Sequence, residues 1–570
     1  MERPWLNHYG AVSHHLDYPD CSISEQVLKT AARLPKSDAL SFMGRKISYS
    51  AMAEQIEQTA CAFWALGIRK GDRVMLCLPN LPQTVYCLYG LNRLGAVVGL
   101  IHPLAAEKEI AYDLRQIEAK TLVTLRRFLP KIEQVQKDYP LKNLLVTDID
   151  DALGGIKKWG YRLAVKSKFP PLPPMENILL WQDFLKNGRP YEQEKMPAKE
   201  GAVILFSGGT TGTQKGILLS NLNFNALAYQ TEAMSARQVE GQRLLAAMPM
   251  FHGFGLGVCV HTALACGACS ILVPRFNVKD YAELIRKEKP NFIAGVPTLY
   301  EALTRTNYLD KTDLSFLQGV FSGGDSLSVE LKKKMDRFLA ERGATVRIRE
   351  GYGTTECVTA SCLTPDHQER EGSIGLPYPD MDYKICKVGT TQEVPFGEEG
   401  EICLTGPTLM LGYLNHPEET KQALQTHPDG QTWLHTGDLG VMDADGFIYF
   451  RQRLKRIIVT SGYNVYPSQI ENVLDGHEKV QISCVIGVPD SYRMHRVKAF
   501  VVLKEGIEPT EEIKTELMEY CQKYIAKYAC PREIEFREDL PKTLVGKVAY
   551  KELEKETAFI SPSVDKAVFP

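Results

Sequence analysis

Between residues 25 and 105 short apolar runs alternate with amphipathic helical patterns, and this rhythm constrains the fold more than any other feature. In "AEQIEQTACAFWALG" Ile56, Ala60, Phe63 and Trp64 share one helical face, and Gly67 stops the helix. "DRVMLCL" and "LGAVVGLI" then read as buried strands. Strand and helix in alternation predict an α/β domain with a mainly parallel sheet. The rhythm resumes at Gly201, and "SVELKKKMDRFLAERG" puts Leu331, Met335, Phe338 and Leu339 on one face before Gly343. From Gly375 to Phe450 short runs with Gly and Pro turns predict a small β subdomain.

At 570 residues the chain exceeds what one core supports. A boundary falls near Lys455. Beyond it "YPSQIENVLDGH" starts a helix at Pro467, and "KAFVVLKEG" is a strand. "TEEIKTELMEYCQKYIAKYACP" is a long helix, with Thr510 as N-cap and Ile513, Leu517, Cys521 and Tyr524 as its apolar stripe. The expected domains are therefore 1–454 and a separate α+β unit, 455–570.

A formal charge of -2 gives no pull toward nucleic acid. Met1–Asp20 is polar and unlike a secretory leader, and the 14 cysteines are scattered, so a reducing cytoplasmic setting with free thiols is expected. Cys266 and Cys269 form a CxxC, but in apolar surroundings that read as packed thiols. Residues 253–273 are apolar over a bilayer-sized length. His261, Thr262 and several glycines interrupt them, which fits a buried helix followed by a buried strand. Residues 156–169 interleave Lys157, Lys158, Arg162, Lys166 and Lys168 with Trp159, Tyr161, Leu163 and Phe169. They read as a solvated connector before "PPLPP", or as a segment resting on an anionic membrane surface.

The stretch "ILFSGGTTGTQKGILLS" (204–220) crowds Ser207, Gly208, Gly209, Thr210, Thr211, Gly212, Thr213 and Lys215 between two apolar runs. Glycines free backbone N–H groups to point inward, hydroxyls add donors, and Lys215 adds a mobile charge, a recipe suited to a polyphosphate. Gln214 before Lys215 breaks the common P-loop spacing, so this loop alone also fits a flexible turn. Further stretches join it: "VFSGGDSL" (320–327), "EGYGTTEC" (350–357), "HTGDLG" (435–440), "RQRLKRIIVTSGYNVYPSQIE" (451–471) and "LPKTLVGKVAYKEL".

These motifs, in this order, resemble the adenylate-forming superfamily of acyl-CoA synthetases, peptide-synthetase adenylation domains and firefly luciferase, with bacterial long-chain fatty-acid–CoA ligases most similar. The resemblance runs from "PWLNHY" to the Lys547 segment. It implies a large N-terminal domain of stacked α/β sheets with a small β-barrel subdomain, and a mobile C-terminal lid. It implies that loop 207–216 cradles the β- and γ-phosphates of ATP, and that Thr211 and Glu356 hold Mg²⁺. Gly324, Asp325 and Tyr352, with Gly353, Thr354 and Thr355, would form the adenine side of the site. Asp438 and Arg453 would grip the ribose. Lys547 would reach the reacting carboxylate and the α-phosphate, and His252 in "PMFHGFG" would sit beside the acyl group. Lys455 would be the hinge that exchanges Lys547 for Gly462 and Tyr463 near coenzyme A.

Two departures stand out. Met494-His495 occupies the usual Gly-Glu, and Gln452 replaces the usual Gly or Asp before Arg453. No GxSxG elbow suggests hydrolysis. The expected function is ATP-dependent ligation of a fatty acid to CoA. The alternatives are an aryl, bile or other bulky acid, a carrier-protein acceptor, or a regulator without catalysis. Membrane contact through 156–169, placing the protein at the inner membrane face, and a homodimer complete the expectations.

Overall fold

The computed structural model describes residues 2–165, 172–173, 175–207, 214–235, 237–460, 463–490, 494–543 and 546–560. Two large sheets carry the N-terminal part. In the first, strands Ile178–Leu180, Asn143–Thr147, Thr121–Leu125, Arg73–Cys77, Val97–Leu100 and Gly201–Ser207 run parallel in that order. Lys215–Ser220 and Gly412–Tyr413 then add antiparallel. In the second, Asp38–Phe42, Cys269–Leu272, Arg243–Ala246, Phe292–Gly295, Gly319–Ser322 and Ile348–Tyr352 are parallel neighbours. The buried strand residues include Val74, Leu76, Val98, Leu205, Ile271 and Ile293, which join helix residues such as Ile56 and Phe63 in one continuous core. Burying a side chain of this size contributes roughly 1.5–3 kcal/mol, so this core is the chief source of stability.

The apolar segment 253–273 is a helix and then a strand, as expected. Its first part, Phe254–Thr262, is wound as a π-helix, which the apolar pattern does not reveal. Gly255 makes this packing feasible, because a Cβ there would lie 2.1 Å from the Pro249 carbonyl oxygen. All 14 cysteines are free, and Cys266 and Cys269 are buried.

The β subdomain consists of strands Asp382–Cys386, Glu399–Thr405, Leu424–Thr426, Thr432–Met442 and Ile448–Arg453, paired antiparallel. No pairing among the described residues closes them into a barrel. From Ile458 onward the chain builds its own five-stranded sheet around the long hairpin Val480–Asp490 and Met494–Leu503. This sheet has its own apolar clusters, one beneath helices Pro467–Asp475 and Glu511–Tyr524. Met494 adopts φ 68°, a left-handed conformation that glycine enters without penalty. That is the physical cost of the Met-for-Gly departure. Gln452 is buried, and its Oε1 accepts from the backbone N–H of Ser468 (3.0 Å) in the first turn of Pro467–Asp475. Ser468 in turn donates to the Arg451 carbonyl (2.5 Å).

Candidate active site

The strands of the second parallel sheet end on one crevice, where α/β sheets place their ligands. The turn after Gly319–Ser322 supplies Gly323, Gly324 and Asp325; the end of Ile348–Tyr352 supplies Tyr352 and Gly353. Gly353 is obligatory on steric grounds, since a Cβ there would lie 1.6 Å from the Thr359 carbonyl oxygen. Gly253 meets the Val358 carbonyl equally closely, at 1.6 Å. Val358 itself holds φ 67°, costly for a β-branched residue and enforced by these contacts. Strain of this kind concentrates at ligand sites.

Tyr352 donates its hydroxyl hydrogen to Asp438 Oδ2 (2.7 Å), and Arg453 Nε lies 3.4 Å from Asp438 Oδ1. Asp438 and Arg453 face each other in register across Thr432–Met442 and Ile448–Arg453. Burial pushes the Asp438 carboxyl up, and Arg453 and the tyrosine hydroxyl act against that rise. Thr354 leads into the short turn Thr355–Cys357, which presents Glu356. Glu356 Oε1 accepts from the hydroxyl of Tyr413 (2.8 Å), and Lys215 Nζ lies 5.3 Å from the centre of the Tyr413 ring. A partly buried Lys215 also faces Glu419 at 3.6 Å.

Ser207 and Lys215 pair across the antiparallel ladder, so the structured strands reach further into the glycine-rich stretch than its composition suggests. Gly208, Gly209, Thr210, Thr211 and Gly212 lie outside the described residues, as do Gly462 and the side chain of Tyr463. The exit of the loop is tied to helix Glu107–Gln116. Gln116 Oε1 accepts from Gly216 N–H (2.6 Å), its Nε2 donates to the Gln214 carbonyl (3.1 Å), and Gln214 donates to Glu109 (2.5 Å). Gln116 and Tyr413 were not foreseen. Each sits outside the motifs, and only the fold brings it to them.

Lys547 enters the crevice from the C-terminal unit. Thr298 Oγ1 donates to the Gly546 carbonyl (2.8 Å) and fixes the approach. A Cβ on Gly324 would lie 3.7 Å from Lys547 Cε and 3.9 Å from its Nζ. Asp325, Asp438 and Arg453 are the charges Lys547 senses; burial, its largest influence, lowers its pKa. His252 lies close enough for Lys547 to repel its protonated form. Burial and that repulsion push its pKa down to about 3, so its imidazole is neutral. Its Nδ1 accepts from the Phe254 N–H at 3.3 Å. Lys455 sits in the short turn Leu454–Arg456, where burial and the charges of Lys215 and Lys551 lower its pKa.

An apolar cavity is lined at one end by Gly323 and Gly324. It runs past Phe254, Val258, Leu244 and Phe292 to Val239.

Known proteins share this fold. The crystal structure of the anthranilate CoA ligase AuaEII in complex with anthranoyl-AMP matches with a TM-score of 0.82 at 25% identity, over 95% of this chain and 98% of that one. ATP-bound MatB from Rhodopseudomonas palustris shares the fold, with a TM-score of 0.80 at 24% identity over 94% and 100%. The fold is thus that of two-part α/β enzymes, among them ones solved with anthranoyl-AMP and with ATP bound.

Within that class the chain belongs to the AMP-binding enzyme family, whose model matches residues 27–414. The model of the AMP-binding enzyme C-terminal domain matches residues 469–547. The long-chain-fatty-acid–CoA ligase of Bacillus subtilis (strain 168) is 35% identical over 98% of both chains. That of Haemophilus influenzae is 30% identical over 98% of this chain and 99% of its own.

Proposed function

We propose that this chain is an ATP-dependent fatty acid–CoA ligase acting through an acyl-adenylate. The observation that carries the reading is Lys547 lying over Gly324, at the mouth of the apolar cavity, within the field of Asp325, Asp438 and Arg453.

A carboxylate oxygen attacks the α-phosphorus of ATP. The new O–P bond forms as the bond to the β-phosphate oxygen breaks, and pyrophosphate leaves with the electron pair. Both reactants are anionic, so the barrier is set by repulsion and alignment. Lys547 bridges the carboxylate and the α-phosphate. Lys215 and the 207–213 loop take the charge of the departing pyrophosphate. Tyr352, Gly324 and Asp325 form the adenine side, and Asp438 with Arg453 holds the ribose hydroxyls. The neutral His252 flanks the acyl carboxylate without adding charge.

Glu356 fits a hard cation: Tyr413 orients it through one carboxylate oxygen, and Glu356 with Thr211 would hold Mg²⁺. When bound, Mg²⁺ screens the phosphate oxygens as a Lewis acid.

In the second half-reaction the CoA sulfur attacks the acyl carbon, its proton passes to solvent, and AMP leaves. Residues 455–570 act here as a lid that rotates about Lys455, withdrawing Lys547 and presenting Gly462 and Tyr463 to coenzyme A. The cavity takes the alkyl chain, each buried methylene contributing about 0.8 kcal/mol.

A panel of acids assayed by pyrophosphate release, with CoA or a carrier protein as acceptor, tests the reading. Long- and medium-chain acids with CoA should give the highest kcat/KM. Preference for aryl or bile acids, or for the carrier protein, would replace the substrate assignment, and no acid-dependent AMP would leave only a regulator.

A specific observation favours peripheral contact with the inner face of the membrane. Helix Gly155–Ala164 leaves Ile156, Trp159 and Leu163 exposed by 92%, 69% and 67%, beside Lys157, Lys158 and Arg162. Arg162 is paired with Asp150 at 2.7 Å, and Lys157 donates to the Met43 carbonyl, so two of these cations also fix the helix to the domain. No described helix is long and apolar enough to cross a membrane. Residues 166–169 of the basic segment lie outside the described residues. A homodimer rests on the resemblance alone.

A further inference from the structure

We propose that Cys403, His427 and His435 form a metal site for a thiophilic d¹⁰ ion, zinc(II), inside the β subdomain. Cys403 on Glu399–Thr405 and His435 on Thr432–Met442 are directly opposite in the ladder. His427 follows the strand Leu424–Thr426, which pairs with the start of that same long strand. One ligand atom from each residue lies within 4.8 Å of the others. Bonds of about 2.0–2.3 Å from one ion to nitrogen and sulfur close that spacing with small side-chain shifts.

Two of the three donors are buried, Cys403 at 0% and His427 at 3% exposure, and His435 is half-buried. His435 Nε2 faces His427 Nε2 at 2.9 Å, and Cys403 Sγ lies 3.6 Å from His435 Nδ1. A single hydrogen can lie between the two Nε2 atoms, so one of them must present a lone pair to the other. His427 Nδ1 is buried with no hydrogen-bond partner, an unsatisfied ring nitrogen at the same cluster. Glu401 Oε2 lies 2.8 Å from His435 Nδ1, the carboxylate–histidine arrangement that orients metal-binding imidazoles. Cys386 packs against Cys403 and Trp433 in the same small cluster. The nearby cation Lys384 is engaged by Asp429 at 3.0 Å and lies over the Trp433 ring. Soft sulfur with imidazole selects zinc or copper(I) over magnesium.

Binding balances simply. The Cys403 thiol loses its proton to solvent, both imidazoles bind neutral, and no electron is transferred. The site also reaches the proposed catalytic machinery. Glu401 Oε1 accepts from the Gly437 N–H (2.9 Å), and Gly437 precedes Asp438. An ion that draws on His435 therefore pulls on the turn carrying the ribose carboxylate.

The test uses the full-length protein, stripped with chelator and titrated with Co²⁺ as a spectroscopic probe. The expected result is one cobalt per chain with a thiolate-to-cobalt charge-transfer band, displaced by one equivalent of zinc. The band should vanish in Cys403→Ser and in His427→Gln, with folding checked by circular dichroism and melting. In Glu401→Gln zinc should bind about 10–100-fold more weakly. Absence of the band in the unmodified protein, or its persistence in both ligand variants, would overturn the site. A change in the KM for ATP on zinc loading is a separate readout that rests on the proposed ligase reading; cobalt binding does not.

Discussion

Lys547 is a single ammonium placed among charges of both signs, and its proposed role is to stabilise the developing negative charge of the first half-reaction. Replacing it with alanine should lower acyl-adenylate formation by about 10²–10³-fold, the cost of one transition-state donor. Thioester formation from supplied acyl-AMP should persist, because in the proposed rotation the lysine is withdrawn before that step. Parallel loss of both half-reactions in a quenched single-turnover assay would contradict the role. Tyr413→Phe removes the hydroxyl that orients Glu356. A hydrogen bond to a charged group contributes about 1.5–3 kcal/mol, so the Mg²⁺ concentration for half-maximal rate should rise by about tenfold or more. Two groups held in their uncharged forms set opposite pH dependences of stability. The folded-state pKa of His252, about 3, lies below its ordinary 6.5. Its contribution is complete above pH 6.5 and lost as pH falls toward 3. Burial raises Asp113 from 3.8 to about 8, and its Oδ1 has no partner. That contribution is complete below pH 3.8 and lost as pH rises toward 8, so Asp113→Asn should flatten the decline of Tm between pH 5 and 8.

At the scale of elements, the phosphate-loop candidate is anchored less by its own residues than by helix Glu107–Gln116. Gln116→Ala breaks two hydrogen bonds to the loop exit. It should raise the KM for ATP several-fold while leaving thioester formation from acyl-AMP intact, which two separate steady-state assays would reveal. Here the reach of the sequence becomes clear. The parallel strands and their helices were legible, because doubly buried strands leave apolar runs and helices leave a 3.6-residue period. Asp438, Arg453 and Tyr352 were legible only through motif order, and the structure joins them by contacts of 2.7 and 3.4 Å. Tyr413, Gln116 and the metal-site candidates His427 and His435 were not, since their partners are 57, 100 and more residues distant, or lie across a ladder that no local pattern encodes. The π-winding of Phe254–Thr262 was also hidden, because a uniformly apolar helix carries no phase.

For the whole molecule, the present pose sets the C-terminal unit against the crevice through a few polar ties. Among the described residues they include Thr298 to Gly546, Tyr466 to Glu399 (2.8 Å), and Ser468 to Gln452 and Arg451. Proline fixes φ near -65° and is tolerated in a first helical turn. Lys455→Pro should therefore leave adenylate formation within a fewfold of normal and suppress thioester formation strongly. An equal effect on both steps in stopped-flow measurements would remove Lys455 as the pivot.

The Gln452 amide has a kinetic consequence. It is a neutral tie, and neutral hydrogen bonds contribute only about 0.5–1.5 kcal/mol net. Letting go of Ser468 thus lies within the reach of thermal agitation. In the proposed lid rotation, a C-terminal unit released from this and its other polar ties moves against solvent drag, so turnover should slow in sucrose in step with the viscosity of the medium, whichever acid is being activated.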